Sequence, residues 1–198
     1  MQAEHYGTRI IENQEKIVEE IMNFTLSSDE LSVSFAPGGM QFNYDYFFEI
    51  KKKIMDKHKR GEHKGIRYIS FIDEDNIDAA KKFLDVGVKI RHVKNLPPMS
   101  FGISDKQMIT TLEKMEGGKV AQSILVSTDV TYIKYFAAIF DELWDKGINA
   151  IERIKDIEEG RETDDELADA RRYLSQVLEE VSKMKNKAKQ QQKEDLNT

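Results

Sequence analysis

Apolar residues recur at intervals of three and four over residues 8–24, which predicts an amphipathic helix with a polar outer face. Alternating apolar and small residues over 31–35, followed by a Pro-Gly-Gly run, predict a short strand that ends in a turn. A second helix is expected over 43–60, because Gly61 follows it and cationic side chains occupy its last turns.

The segment 66–72 is almost continuously apolar, as in a strand that is covered on both faces. A helix capped by Asp73 is expected next, and Gly87 supplies a left-handed C-cap from which a third strand, 88–93, begins. Because strand, helix, strand, helix and strand follow one another over 31–93, the sequence predicts a partly parallel sheet.

The pattern changes after this core. Short apolar segments near 101–103, 108–112 and 120–126, joined by tight turns, predict an antiparallel meander. A long helix capped within 127–129 follows, and its apolar face extends from Ile133 through Trp144 to Ile151. The expected fold class is therefore α/β: a mixed sheet with a partly parallel βαβαβ core, an antiparallel meander, flanking helices and a C-terminal heptad helix.

The last segment has another period. Gly160 marks the expected boundary between an α/β domain, 1–160, and a helical segment, 161–198. In this segment apolar residues recur every seven positions in two series offset by three, the a/d pattern of a coiled coil. We expect a homodimer, with a helix folded back on the domain as the alternative. The predicted dimer interface comprises Leu167, Ala170, Leu174, Val177, Val181 and Met184.

Composition excludes several kinds of chemistry. The 198 residues include no Cys, which excludes disulfides, thiolate metal sites and a cysteine nucleophile. The four His are scattered, so we expect neither a metal site nor a cofactor. The N-terminal residues are polar and no apolar run approaches 18 residues, so we expect no signal peptide, no membrane span and a cytoplasmic location.

Charge is unevenly distributed along the chain. The net charge is -6, yet residues 51–67 contain eight Lys or Arg against two acidic residues. The preferred interpretation of this cationic band is a solvated helix face and turn. An anionic partner is the alternative, although the acidic balance makes nucleic acid an unfavoured one.

Two stretches, 65–71 and 87–92, resemble the crossover strands of the phospholipase D-like half-domain. The segment from Pro98 to Asp105 falls where that superfamily has its catalytic H-x-K-x-x-x-x-D motif. Asp105 matches the last position, whereas Pro98 and Ser100 stand in place of the His and the Lys. Because the His is the nucleophile in the active family, the resemblance implies this fold without an enzymatic activity.

A second resemblance covers roughly residues 10–160. The segments 93–106, 139–147 and 150–160 resemble the sensor domains of archaeal sensor histidine kinases, and similar cassettes occur in archaeal transcriptional regulators. The resemblance implies a non-catalytic sensory module. No phosphoacceptor His occurs over 164–188, so the module would act through a partner protein such as a kinase, response regulator or transcription factor.

These observations predict a dimeric sensory module in archaeal two-component or transcriptional signalling. An unknown small ligand is expected at the strand ends, where open α/β sheets bind ligands, and a continuous helix through Trp144 and Ile151 would transmit its effect. The alternatives are a degenerate phospholipase D-like phosphodiesterase that uses His92 with Asp105, and a nucleic-acid-binding regulator. The predicted ligand-binding residues are Phe35, Asp73, His92, Ser100 and Asp105.

Overall fold

The computed structural model of the protein describes residues 7–112 and 121–161, and the chain divides into two compact units, Met1–Lys155 and Asp156–Thr198. None of the helices in the described ranges combines the length and the apolar character that crossing a membrane requires. The elements are β1 (Thr8–Ile11), α1 (Gln14–Ser27), β2 (Leu31–Ser34), α2 (Gly39–Lys59), β3 (Ile66–Ser70), α3 (Ile77–Val86), β4 (Lys89–His92), β5 (Phe101–Ser104), β6 (Met108–Thr111), β7 (Ile124–Ser127), α4 (Val130–Lys146), β8 (Ile148–Asn149) and α5 (Ala150–Glu158).

The strands of the described residues form one mixed sheet in the order β1-β7-β6-β5-β2-β3-β4-β8. Strands β2, β3 and β4 are parallel neighbours, and the remaining pairs are antiparallel. The predicted parallel core and the predicted meander of β5, β6 and β7 are both confirmed. Gly87 ends α3 at φ 104°, and its N–H reaches the last carbonyls of the helix, as the sequence predicts.

Helices α1, α2 and α3 cover one face of the sheet. Tyr68 on β3 is fully buried, and its ring packs edge-on against Phe83 of α3 at 5.1 Å and against Phe35 at 4.9 Å. Its hydroxyl donates to Asn43 Oδ1 of α2 at 3.1 Å. A side chain at Gly102 of β5 would lie 2.9 Å from the ring of Phe24, so α1 approaches the sheet closely.

Helix α4 covers the other face. Phe140 is fully buried in a cluster with Ile69 of β3 and Phe101 of β5. The guanidinium of Arg67 lies 4.9 Å from the Phe140 ring, and that of Arg91 lies 5.0 Å from the Trp144 ring. The cationic side chains therefore extend the packed layer, because their stems and planar heads cover aromatic rings.

The helix predicted over 8–24 is wrong at its start. Residues Thr8–Ile11 form β1, which pairs antiparallel with β7, and α1 begins at Gln14. Asn13 is the N-cap, and its side chain accepts a hydrogen bond from the Lys16 N–H at 3.0 Å. The two isoleucines of β1 fit a helical period, but pairing with a distant strand decides their conformation. The helix predicted to start at Asp73 likewise starts later, at Ile77.

The long helix predicted through Ile151 is also wrong, because it breaks at Gly147. A side chain there would lie 2.9 Å from Arg91 Cβ, so only glycine allows the chain to pass against β4. Ile148–Asn149 then pair with β4, and Ile148 and Ile151 are 41% and 62% exposed. The continuous helix that was expected to transmit a signal is therefore interrupted.

The second unit, Asp156–Thr198, is described only as far as residue 161. Gly160 has φ 63°, and Arg161 forms an ion pair with Asp156 at 2.9 Å. The predicted dimer interface lies outside the described residues and stays a prediction; it comprises Leu167, Ala170, Leu174, Val177, Val181 and Met184.

The packing of α4 predicts a stability difference within one helix. Phe140→Ala should lower the free energy of unfolding by about 3–5 kcal/mol, because it removes a fully buried ring. Tyr135→Ala on the same helix removes a ring that is 69% exposed and should change it by less than about 0.5 kcal/mol. Urea unfolding of both variants measures the difference, and equal losses would contradict this assignment of the core.

Candidate functional site

The three parallel strands end at one edge of the sheet. Phe35 follows β2, Asp73 lies just beyond β3, and His92 is the last residue of β4. Ser100 precedes β5 at the same edge, because β5 runs antiparallel to β2, and its Oγ accepts a hydrogen bond from the Ala36 N–H at 3.0 Å. Four of the five predicted ligand-binding residues therefore lie along this edge, with Phe35 and Ser100 adjacent.

His92 and Asp73 shape the loop after β3. Nδ1 of the buried His92 accepts from the Ile72 N–H at 2.9 Å, and its ring lies 5.1 Å from that of Phe71. The carboxylate of Asp73 accepts from the Asp75 N–H at 3.1 Å. Partial burial and the neighbouring carboxylate of Asp75 raise the pKa of Asp73. Both side chains hold the backbone of this loop in place.

Asp105 lies at the opposite end of the strands and accepts a hydrogen bond from the Asp29 N–H at 2.9 Å. Ser104, which precedes Asp105, pairs with Leu31, the first residue of β2. His92 pairs with Ser70 of β3, which is level with Phe35, the residue that follows β2. Asp105 and His92 are therefore separated by five residue positions, or about 16 Å, along the strand direction. His92 and Asp105 therefore cannot act as a pair on one substrate.

A cavity of about 80 Å³ lies between α1, α2 and strands β2, β5 and β6. Phe35 and Ser100 form part of its wall, so the cavity adjoins the strand ends. Most of the lining is apolar, including Ile17, Ile21, Phe24, Phe42, Phe47 and Ile109. Pockets lined by apolar side chains with a few polar groups are typical ligand sites, and this cavity has such a lining.

One charged side chain enters this apolar space. Lys51 of α2 lines the cavity with 1% of its surface exposed, and its Nζ donates to Thr25 Oγ1 of α1 at 2.8 Å. Within residues 7–112 and 121–161, Thr25 is the hydrogen-bond partner of the amine, and no carboxylate pairs with it. Burial lowers the pKa of Lys51 from 10.5 to about 7.

The sequence-based interpretation of Lys51 as part of a solvated cationic band is wrong. The residue shares a helical face with the buried Asn43, Phe47 and Ile54, at intervals of four, four and three. That spacing is the signal that could have identified it, because a lysine on the apolar face of a helix is almost never fully buried unless it is paired. Its immediate neighbours Lys52 and Lys53 point outward and are exposed.

Ion pairs neutralise much of the remaining band. Arg60 pairs with Glu62 at 2.8 Å, and Arg67 pairs with Asp141 at 3.2 Å. Lys64 lies 3.9 Å from Glu30. The band is therefore a set of mostly paired surface charges around one buried amine.

No model of a known protein family matches this sequence, and comparison with curated proteins gives no match. Solved structures do match. NucT from Helicobacter pylori aligns with a TM-score of 0.55 and 11% identity over 73% of this chain and 99% of its own. Nuc from Salmonella typhimurium, a phospholipase D family member, aligns with a TM-score of 0.50 and 13% identity over 72% of this chain and 97% of its own.

The fold is phospholipase D-like. TrmBL2, an archaeal chromatin protein whose structure shows a novel mode of DNA binding, aligns with a TM-score of 0.53 and 12% identity over 75% of this chain. The match covers 56% of TrmBL2, so this chain spans just over half of that protein. At these identities the likeness establishes the fold alone, and the resemblance to sensor histidine kinases stays a prediction.

Pro98 and Ser100 stand in place of the His and Lys of the phospholipase D superfamily motif, and neither supplies the same functional group. Pro98 is exposed and has no side-chain group that could attack a phosphorus atom. Ser100 fixes the backbone of Ala36, and a side chain at Gly39 would lie 3.0 Å from its hydroxyl.

The buried amine predicts an unusual stability profile. Lys51→Met should raise the free energy of unfolding at pH 6.5 by on the order of 3 kcal/mol, because an apolar side chain replaces a charge that burial disfavours. The unfolded chain keeps its lysine protonated to higher pH than the folded chain, so wild-type stability should rise between pH 7 and pH 10. Lys51→Met should lack this rise.

Chemical denaturation of wild type, Lys51→Met and Lys52→Met at several pH values measures the effect. Lys52→Met removes the same charge from an exposed neighbour and should follow the wild-type profile. A loss of stability in Lys51→Met at every pH would contradict the lowered pKa.

Proposed function

We propose that this protein is a non-catalytic sensory module that binds a small molecule in the cavity between α1, α2 and the sheet. The observation that carries the proposal is the largely apolar cavity with a buried amine, adjoining the strand ends where ligands bind in open α/β sheets. The ligand would bridge α1 and α2, since both helices contribute lining residues, and would change how firmly α1 is held.

The arrangement of the motif residues supports a binding role over an enzymatic one. Pro98 stands where the superfamily has its nucleophile, and Ser100 uses its hydroxyl in a backbone hydrogen bond. His92, the substitute nucleophile, binds the backbone of Ile72 and lies far from Asp105. No pair of groups suited to phosphodiester cleavage thus comes together among these candidates.

We propose that the protein acts in the cytoplasm and passes its signal to a partner protein. The heptad segment, 161–198, would form the homodimer, and the bound state of the cavity would be communicated to an archaeal kinase, response regulator or transcription factor. Because Gly147 interrupts the helix before α5, the proposal needs coupling through packing of α1 and α2 rather than through rotation of one long helix.

A nucleic-acid-binding regulator is the second candidate. The likeness to the fold of TrmBL2 and the exposed Lys52, Lys53 and Lys57 on α2 support it. Pairing of Arg60 and Arg67 with carboxylates counts against it, since phosphate contacts need free cationic groups. The sensory role therefore has the stronger support.

Filling the cavity tests the sensory role. A thermal-shift screen of small organic acids, alcohols and sugars should find compounds that raise the melting temperature of the wild type. Ala121→Leu places extra methyl groups in the cavity lining and should abolish these shifts. Ala138→Leu makes the same change on the exposed face of α4 and should retain them. Shifts that persist in Ala121→Leu would show that the ligand binds elsewhere.

An activity assay tests the non-catalytic part of the proposal. Hydrolysis of bis(p-nitrophenyl) phosphate should not exceed the rate in buffer, because the nucleophile position carries proline. The measurement is release of p-nitrophenol at pH 6 to 9. A rate that is lost in His92→Ala while Asp105→Ala retains it would contradict the proposal and assign catalysis to His92.

A further inference from the structure

The buried amine of Lys51 has no counterion among the residues that the structure describes. Seventeen of the described residues line the cavity, and none of these seventeen is Asp or Glu. The amine can donate three hydrogen bonds, whereas the described residues offer it Thr25 Oγ1 at 2.8 Å as acceptor. A buried ammonium without an anionic partner is strongly disfavoured, so the site is electrostatically incomplete.

The hydrogen bonding of Thr25 is suited to a second acceptor. Its oxygen accepts from Lys51, which leaves the hydroxyl hydrogen free to donate, and the side chain is itself fully buried. A group placed beside both residues would meet one cationic and one neutral donor. An anionic oxygen pair, such as that of a carboxylate, accepts both hydrogen bonds at once.

The rest of the cavity limits which chemical groups the ligand can carry beside its anionic group. Phe24, Phe42 and Phe47 and neighbouring aliphatic side chains leave an apolar space of about 80 Å³. A phosphate or a dicarboxylate would bring more than one negative charge to a single amine. A sugar would bring hydroxyls on every side, whereas the polar lining is limited to Thr25, Asn43, Lys51, Ser100 and Thr111. A monoanion with a short hydrocarbon chain matches both the charge and the lining.

We propose that the ligand is a short-chain aliphatic monocarboxylic acid, bound with its carboxylate on Lys51 Nζ and the Thr25 hydroxyl and with its hydrocarbon chain among the aromatic side chains of α1 and α2. The inference rests on the proposed sensory function and names the ligand class of the same cavity. The ligand supplies the counterion that the protein lacks, so binding restores the charged form of the amine.

This arrangement couples binding to protonation. The free amine has a pKa of about 7, and the ion pair requires it to be protonated. Affinity should therefore be nearly constant from pH 5.5 to 6.5 and should fall about tenfold for each pH unit well above 7. Binding at pH 8 should take up about one proton for each ligand, which a neutral ligand would not do.

Isothermal titration calorimetry with sodium hexanoate and 1-hexanol at pH 6.5 and 8.5 tests the inference. Wild type should bind hexanoate with an affinity at least about tenfold above that for hexanol at pH 6.5, and this preference should shrink at pH 8.5. Lys51→Met should lose this preference and bind hexanol more tightly than hexanoate at both pH values, because the carboxylate would be buried without a counterion. Lys52→Met should behave as wild type, and heat measured in buffers of different ionisation enthalpy reports the proton uptake.

The possible failures are distinguishable. Equal affinity of wild type for hexanoate and hexanol, or hexanoate binding that Lys51→Met retains, would overturn the assignment of the ligand class while the cavity remained the binding site. Absence of hexanoate binding would overturn it as well. The proposed sensory function fails separately, if no compound of the thermal-shift screen is sensitive to Ala121→Leu. A circular-dichroism melt of Lys51→Met shows that the variant is folded.

Discussion

Every residue of strand β2 is buried, so the sheet needs a helical layer on each of its faces. The two helical layers cover the sheet in different ways. Helix α4 closes its face with Phe140 and with arginine side chains stacked on aromatic rings. Helices α1 and α2 leave a cavity on theirs, and the side chain that reaches into it is a lysine. Because both faces of β2 are covered, a gap in the layer of α1 and α2 forms a cavity that can bind a ligand.

A lysine at position 51 is hard to explain by folding alone. The same helical face carries Phe47 and Ile54, and another apolar residue would fill the space without desolvating an amine. Natural proteins keep such destabilising groups where function requires them. The hydrogen bond to Thr25 holds the amine without neutralising it, which is the state that an anionic ligand can exploit. The proposed function therefore accounts for a residue that packing does not.

Within the phospholipase D-like fold, the segment that resembles the catalytic motif and the buried amine of Lys51 lie at different places. That segment runs along β5, from Pro98 and Ser100 before the strand to Asp105 after it, and Ser100 orders the backbone of Ala36. The cavity extends from there into the layer of α1 and α2, about three helical turns along α2 to Lys51. One fold can host unrelated functions in this way, because its strands position the surrounding layers as well as the strand ends.

Much of the sheet could be predicted from local sequence, and the failures have physical reasons. The alternation over 31–35, the apolar run over 66–72 and Gly87 sufficed for β2, β3 and β4, since each element is decided by its own residues and turn. The strand Thr8–Ile11 was missed because pairing with distant β7 determines it. The break at Gly147 was missed because it depends on contact with Arg91. Four of the predicted ligand-binding residues lie along one edge of the sheet, whereas Lys51 could not be told apart in a run of similar charges.

The protonation state of Lys51 tests the account most directly. Nuclear magnetic resonance of protein with isotopically labelled lysine side chains, assigned with Lys51→Met, gives the pKa of this amine in the ligand-free chain. The account predicts a titration midpoint of about 7 for Lys51, because burial disfavours the charged form of the amine. A midpoint above about 10, the ordinary value for lysine, would mean that the amine is solvated or paired, and would contradict the buried cationic site.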